Sequence, residues 1–197
     1  MATSKSYTVK FRRKRLRKTD YKARLRLLVS KKNRLVIRKT LNQIYLQIIN
    51  YDKNGDKVLF TLNSKILKKY GWGYGLNNLS ASYLTGLLFG LGAKKKKITN
   101  LILDIGLSSS IKGSVYYAAL KGVLDSGIEV PHDKKILPNE DRVKGKHIVD
   151  YALLLKKQPE LYKKQFSSHL KNNVSLENLT KSFETIKEKI LAEYKNA

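Results

Sequence analysis

The chain of 197 residues contains no cysteine, which excludes a disulfide framework and a thiolate zinc site and fits a reducing compartment. It also lacks a long apolar run. The longest, Leu84 to Ala93, is interrupted by three glycines and reaches about half the length that a bilayer requires, so no membrane partner is expected. The opening Met1-Ala-Thr-Ser-Lys5 has no apolar stretch of the kind that marks a secretory signal. Acidic residues are scarce: 15 Asp+Glu stand against 41 Lys+Arg, a formal net charge of +26. A compact body with that excess repels itself unless a polyanion screens it, and nucleic acid is the commonest such partner.

What is present is enough for a core. Hydrophobic residues make up 42% of the chain, and the length suits one domain with an appendage. The positive charge is concentrated: residues 1–40 hold 16 Lys+Arg and one acid, Asp20. The stretch Lys10-Phe11-Arg12-Arg13-Lys14-Arg15-Leu16-Arg17-Lys18 is too charged to bury and is expected to lie extended until a polyanion orders it. Thr19 or Asp20 suits the cap of a short helix through Leu28, with Leu25 and Leu28 facing inward.

Three strand-like runs follow, Arg34–Lys39, Gln43–Asn50 and Lys57–Leu62. The last two flank Asn54-Gly55, the strongest short-range hairpin signal. The period then changes. Leu84, Leu87, Leu88 and Leu91 predict one apolar face of a helix that starts after Ser80 and ends at Gly92 and Lys94–Lys97. Asn100–Gly106 reads as a buried strand, Ser114–Ser126 as a helix, and Ile128–Pro131 as a short final strand. Meander, helix, strand, helix and strand imply an α/β fold with a mixed sheet and helices packed against it. Three apolar stripes then predict tail helices: Ile148, Tyr151, Ala152 and Leu155; Tyr162, Phe166, His169 and Leu170; Leu176, Leu179, Phe183, Ile186 and Ile190. Pro159 stands where a first helical position belongs.

The basic opening is the strongest functional signal. Arginine offers a planar fork of donors to phosphate and lysine a mobile point charge, while Phe11 and Tyr21 suit stacking on bases. The competing reading is a solvated or nuclear-import tail. Lys94–Lys97 either complement the helix dipole or make a second phosphate contact. The loop Ser108–Ser114 leads into a helix start, where amides favour an anion, but it lacks P-loop order, and a plain connection competes with an RNA contact. Gly71-Trp72-Gly73-Tyr74-Gly75 lacks dinucleotide spacing and reads as a helix stop whose aromatics anchor a loop. Asp104, Asp125, Glu140, Asp141 and Asp150 raise the alternative of a two-metal nuclease. No short spacing forces them together, and Asp104 suits a bond to its following loop. His132, His147 and His169 fit no metal-ligand spacing. No catalytic residue, metal or cofactor is expected.

Several motifs in order carry a resemblance. They include Tyr7-Thr-Val-Lys-Phe-Arg-Arg-Lys-Arg-Leu-Arg-Lys-Thr-Asp-Tyr21, Gln47-Ile-Ile-Asn-Tyr-Asp-Lys-Asn-Gly-Asp56, Ala81-Ser-Tyr-Leu-Thr-Gly86, Ile102-Leu-Asp-Ile-Gly-Leu107, Leu120-Lys-Gly-Val-Leu-Asp-Ser-Gly127 and Tyr162-Lys-Lys-Gln-Phe166. Over nearly its whole length the chain resembles universal large-subunit ribosomal protein eighteen in its archaeal form, the counterpart of eukaryotic large-subunit protein five. It departs at Leu16-Arg17, where relatives commonly have an acid and a glycine, and at Ser108–Ser110, where many carry His or Pro. The resemblance implies a ribonuclease-H-like fold without catalytic metal. It further implies a cytoplasmic structural protein that binds 5S rRNA and helps seat it at the central protuberance, beside the large-subunit rRNA and neighbouring large-subunit ribosomal proteins such as protein five. No small-molecule substrate is implied.

The resulting expectation is a basic N-terminal arm (1–28), an α/β core (29–144) and a C-terminal helical extension (145–197). RNA contacts are expected from Lys10, Phe11, Arg12, Arg13, Lys14, Arg15, Arg17, Lys18, Tyr21, Lys22, Arg24, Lys94, Lys95, Lys112, Gly113 and Ser114. The alternatives are a metal-dependent nuclease of the same fold and a non-specific nucleic-acid-coating protein.

Overall fold

Period-two hydrophobicity between residues 33 and 63 builds an antiparallel meander of β1 (Asn33–Lys39), β2 (Ile44–Asn50) and β3 (Lys57–Asn63) in the computed structural model of the chain. The structure describes residue 6, residues 8–172 and residues 174–195; the opening Met1–Lys5 and Tyr7, first of the resembling motifs, lie outside them. Before the meander come a single helical turn α1 (Arg12–Arg15) and a helix α2 (Tyr21–Val29). After it come a 3-10 helix (Ser64–Tyr70), α3 (Leu79–Lys95), β4 (Leu101–Asp104) and α4 (Val115–Asp125). The chain ends in α5 (Glu140–Lys144), α6 (Lys146–Leu155), α7 (Pro159–Gln165), α8 (Ser167–Lys171) and α9 (Leu179–Lys195).

The sheet order is β3-β2-β1-β4, with β4 parallel to β1, so the sheet is mixed. The register pairs Leu35 with Ile48 and Ile37 with Leu46. All four side chains point to one face and are fully buried. Because side chains alternate along a strand, the opposite face carries Arg34, Val36 and Arg38 of β1 beside Gln47 and Ile49 of β2. The final strand expected at Ile128–Pro131 is reduced to one parallel bridge, Asn100 to Glu129. Gly127, in the left-handed region at φ 91°, and Pro131, which lacks an N–H, bound it closely.

Helix α3 corrects the sequence reading twice. It runs from Leu79 to Lys95, straight through Gly92, and it is buried on every side rather than along one stripe. It is the wall between two apolar clusters. Phe89 and Ala93 face the sheet together with Leu120 and Val123 of α4, while Tyr83, Leu84, Leu87 and Leu88 face the tail. A helix that is apolar all round belongs in such an interior position. Its crossing with α4 is tight: a Cβ on Gly86 would fall 2.1 Å from the Ala119 carbonyl oxygen, and one on Gly122 the same distance from that of Tyr83.

The tail stripes find their partners in the same body. Leu176, Leu179, Phe183, Ile186 and Ile190 are all buried in the cluster against α3. Phe166 and Ala152 join them, whereas Tyr151 and Leu170 remain exposed. Pro159 opens α7 at its first position, where its missing N–H costs nothing.

Candidate nucleic-acid interface

The interface begins with a segment that buries nothing. Residues Lys10 to Lys18 are all exposed, but they are not extended. Phe11 accepts at its carbonyl from the amides of Lys14 and Arg15 (2.9 and 3.0 Å), and the Lys18 amide donates back to the Arg13 carbonyl at 2.9 Å, through Arg17 at φ 50°. Arginine and lysine are good helix formers, and this one turn is closed by backbone bonds alone. Asp20 then caps α2, its carboxylate accepting from the amides of Lys22 (2.9 Å) and Ala23 (3.2 Å). Leu25 is 64% exposed, so the inward face of α2 is formed by Leu27 and Leu28, both half-buried, in place of Leu25.

Among the described residues, Lys10, Arg12, Arg13, Lys14, Arg15, Arg17, Lys18 and Lys22 have no carboxylate partner. Arg13 instead donates from Nε to the Thr19 hydroxyl at 2.8 Å. Phe11 and Tyr21 pack against each other with their rings tilted by 44° and centroids 5.1 Å apart. Phe11 is exposed and Tyr21 half-buried.

Behind this arm, a second set of arginines behaves differently. Arg24 of α2 donates to Asp56 in the β2–β3 turn at 2.9 Å. The other oxygen of Asp56 receives Arg34 at 2.6 Å. Arg34 also donates to Asp104 at 2.8 Å, and Asp104 accepts from Arg38 at 2.9 Å and from the Gly106 amide at 2.8 Å. Arg34 is 4% exposed and Asp104 8%. Burial alone raises the carboxyl pKa of Asp104, but Arg38, Arg34 and the Gly106 amide outweigh it and hold the group below its ordinary range. Between α2 and the open face of the sheet lies a cleft of about 710 Å³, rimmed by Arg13, Lys18 and Arg26 and floored by Val36, Gln47 and Ile49. The sequence reading did not bring Arg34, Arg38 and Asp56 together. The one available signal was the i, i+2, i+4 spacing of Arg34, Val36 and Arg38, which places two guanidiniums on one strand face.

The remaining expected contacts are scattered. Lys94 is exposed at the end of α3. Lys95 lies over the Tyr194 ring (4.5 Å) and Lys96 over Phe60 (4.9 Å), with Lys96 also donating to the Leu59 carbonyl at 3.2 Å. Two of the four lysines therefore hold the end of α3 to its neighbours. Lys112 is exposed, but the Gly113 amide, at φ 67°, donates to the Ile136 carbonyl (2.9 Å), and the Ser114 hydroxyl is buried without a partner. Ser108 donates to the Tyr116 hydroxyl at 2.7 Å, and Ser110 pairs with Tyr117. Much of this loop's bonding capacity is spent inside the protein.

Nor do the carboxylates assemble. Asp104 is bound by two arginines, and Asp125 accepts from the Tyr83 hydroxyl at 2.6 Å. Among the described residues no group of three or more His, Cys, Asp or Glu could hold a metal ion, and no helix is long and apolar enough to cross a membrane. Trp72 and Tyr74 are buried loop anchors, donating to the carbonyls of Gly75 (3.1 Å) and Ser175 (2.8 Å).

Comparison with known proteins adds to this geometry. The family described as "Ribosomal large subunit proteins 60S L5, and 50S L18" matches residues 5–100 and 91–133. The large ribosomal subunit protein uL18 of Korarchaeum cryptofilum is 50% identical over 192 residues, covering 98% of both chains. That of Methanococcus maripaludis is 46% identical over 191 residues, covering 97% of this chain and 99% of its own.

Proposed function

Because the chain belongs to the family of large ribosomal subunit proteins 60S L5 and 50S L18, we propose that it joins the subunit by binding 5S rRNA through its basic arm. It is a structural ribosomal protein of the cytoplasm and not an enzyme, so the nuclease alternative is set aside. The buried pairing of Asp104 with two arginines agrees with that.

The observation that carries the reading is the run of exposed cations from Lys10 to Lys22 without a carboxylate partner among the described residues. Apart from the Arg13 Nε, which donates to Thr19, these side chains are available to phosphate. Their pairing releases counterions condensed on the RNA, which supplies the free energy and makes affinity fall steeply with salt. The helical turn at Arg12–Arg15 spaces its guanidiniums around a short spiral. That geometry suits phosphates approaching from more than one strand. The exposed ring of Phe11, with Tyr21 against it, adds stacking on unpaired bases. Lys94, Lys95, Lys112, Gly113 and Ser114 form the weaker part of the assignment, since Lys95 and the Gly113 amide already have internal contacts and the Ser114 hydroxyl is buried. In this reading the protein helps seat 5S rRNA on the large rRNA at the central protuberance, beside large-subunit proteins such as protein five, as the family resemblance implies.

A competition titration tests it. The purified chain is bound to labelled 5S rRNA and challenged with unlabelled 5S rRNA or with an unrelated duplex of equal length. Preference of about 100-fold or more for 5S rRNA is the expected result. Equal competition by both would make the chain a general nucleic-acid-coating protein and overturn the assignment.

A further inference from the structure

Among the described residues, nine cations of the arm, from Lys10 to Arg26, have no carboxylate partner, but Arg24, on the same limb, has one. Its guanidinium is held at 2.9 Å by one oxygen of Asp56, a residue 32 positions away in the turn between β2 and β3. That carboxylate is fixed rather than floating. Its second oxygen is gripped at 2.6 Å by Arg34, which is 4% exposed and anchored in turn on Asp104. Asp56 thus bridges two guanidiniums through its two oxygens, the kind of contact that a phosphate also makes with arginine. Helix α2 has no fully buried residue, so this pair is a principal tie between the arm and the body. The Arg24 side chain is one-third exposed, which leaves its pair open to exchange with an incoming phosphate.

We propose that Asp56 is a selectivity-determining, positioning residue: it withholds Arg24 from arbitrary phosphates and fixes α2 over the basic cleft, so that only an RNA whose shape fits the docked arm gains the full set of contacts. This rests on the RNA-binding reading above and deepens it. The same chain of contacts explains why Arg34 and Arg38, although basic and close to the cleft, are not counted among the phosphate ligands: both are spent on Asp104, and Arg34 on Asp56 as well. Backbone contacts alone give affinity without discrimination. Discrimination then depends on how rigidly those contacts are placed.

The neighbouring carboxylate supplies a control. Asp52 lies in the same turn and pairs with Lys57, not with the arm. Asp56→Asn and Asp52→Asn change the net charge equally, so any difference between them reports the ties of Asp56 to Arg24 and Arg34 and not the general field, and the Arg24→Gln background separates the two ties. The full-length protein and its variants are titrated with an unrelated duplex and with 5S rRNA over a range of salt. For Asp56→Asn, affinity for the unrelated duplex should rise about fivefold above that of Asp52→Asn, the size of one partly exposed ion pair. The slope of log affinity against log salt should steepen by about one, the signature of one further phosphate contact. Preference for 5S rRNA should shrink by at least the same factor, and Asp56→Glu should restore both. In an Arg24→Gln background the two Asn variants should become indistinguishable, because the withheld group is gone. Thermal melts verify that each variant folds, and the Arg24→Gln pair keeps the comparison valid where Asp56→Asn loosens Arg34. Identical slopes and affinities for Asp56→Asn and Asp52→Asn on the unrelated duplex would overturn the proposal. That comparison does not involve 5S rRNA, so it fails or succeeds separately from the assignment of the RNA.

Discussion

The two ends of the chain both form helices and both read from sequence as appendages, yet they behave oppositely in the structure. The arm carries 11 Lys+Arg and one acid over residues 1–28, whereas residues 145–197 carry 10 Lys, no Arg and six acids. The tail places Leu176, Leu179, Phe183, Ile186 and Ile190 in the core against α3, whereas α1 and α2 bury no residue fully. The difference is one of apolar spacing. A stripe at three- and four-residue intervals gives a helix one face to bury, and burying a large apolar side chain is worth roughly 1.5–3 kcal/mol. Between Lys10 and Lys18 only Phe11 and Leu16 are apolar, so nothing offsets the cost of ordering that segment on the body. The tail is fastened by the protein, while the arm stays exposed, as the proposed RNA contact requires.

Truncation should separate the two most strongly. Deleting residues 176–197 is expected to abolish cooperative unfolding, because the lost burial is comparable with the roughly 5–15 kcal/mol by which a domain is stable. Deleting residues 1–20 should leave the melting temperature unchanged. A calorimetric transition that survives the first deletion, or vanishes with the second, would break the contrast.

A single substitution sharpens it. Phe183→Ala should cost about 3–5 kcal/mol by opening a cavity beside Tyr83, measured by urea unfolding, and leave 5S rRNA affinity unchanged at temperatures where the variant is folded.

The ion-pair network lies between these regions. Asp104→Asn leaves buried Arg34 without one of its two counter-ions and should destabilise by roughly 3 kcal/mol. The carboxyl of Asp104 is held below its ordinary value in the folded protein. Its contribution is therefore fully present above the unfolded value of about 3.9 and is lost as pH falls through the lower folded value. Stability measured from pH 7 down should show this loss below about pH 4, and Asp104→Asn should remove that part of the dependence. The smallest effect is expected at Leu25, apolar but 64% exposed: Leu25→Ser should change stability by less than about 0.5 kcal/mol in a chemical denaturation series.

Local chemistry made much of the fold legible. The Asn54-Gly55 turn, the alternation in β1 to β3, Pro159 at the head of α7 and the tail stripe starting at Leu176 each need only neighbours in sequence. Features that depend on the third dimension were not legible. Helix α3 was read as one-faced because a stripe of leucines does not reveal that two clusters flank it. Leu25 was assigned inward because period alone cannot say which side of α2 meets the sheet. The exposed cations of the arm were evident from charge density. The commitment of Arg24, Arg34 and Arg38 to Asp56 and Asp104 was not, since it joins residues up to 70 positions apart. Nothing in the local sequence separates an arginine awaiting phosphate from one already paired.

The central claim is that the cations of the arm other than Arg24, which have no carboxylate partner among the described residues, are paired by RNA. It is tested most directly by the salt dependence of 5S rRNA affinity, measured side by side for the intact chain and for the chain beginning at residue 21. If the arm makes six or more phosphate contacts, the slope of log affinity against log salt should flatten by about five or more on its removal, with affinity at low salt falling by roughly three decades. Parallel lines for the two proteins would contradict the account.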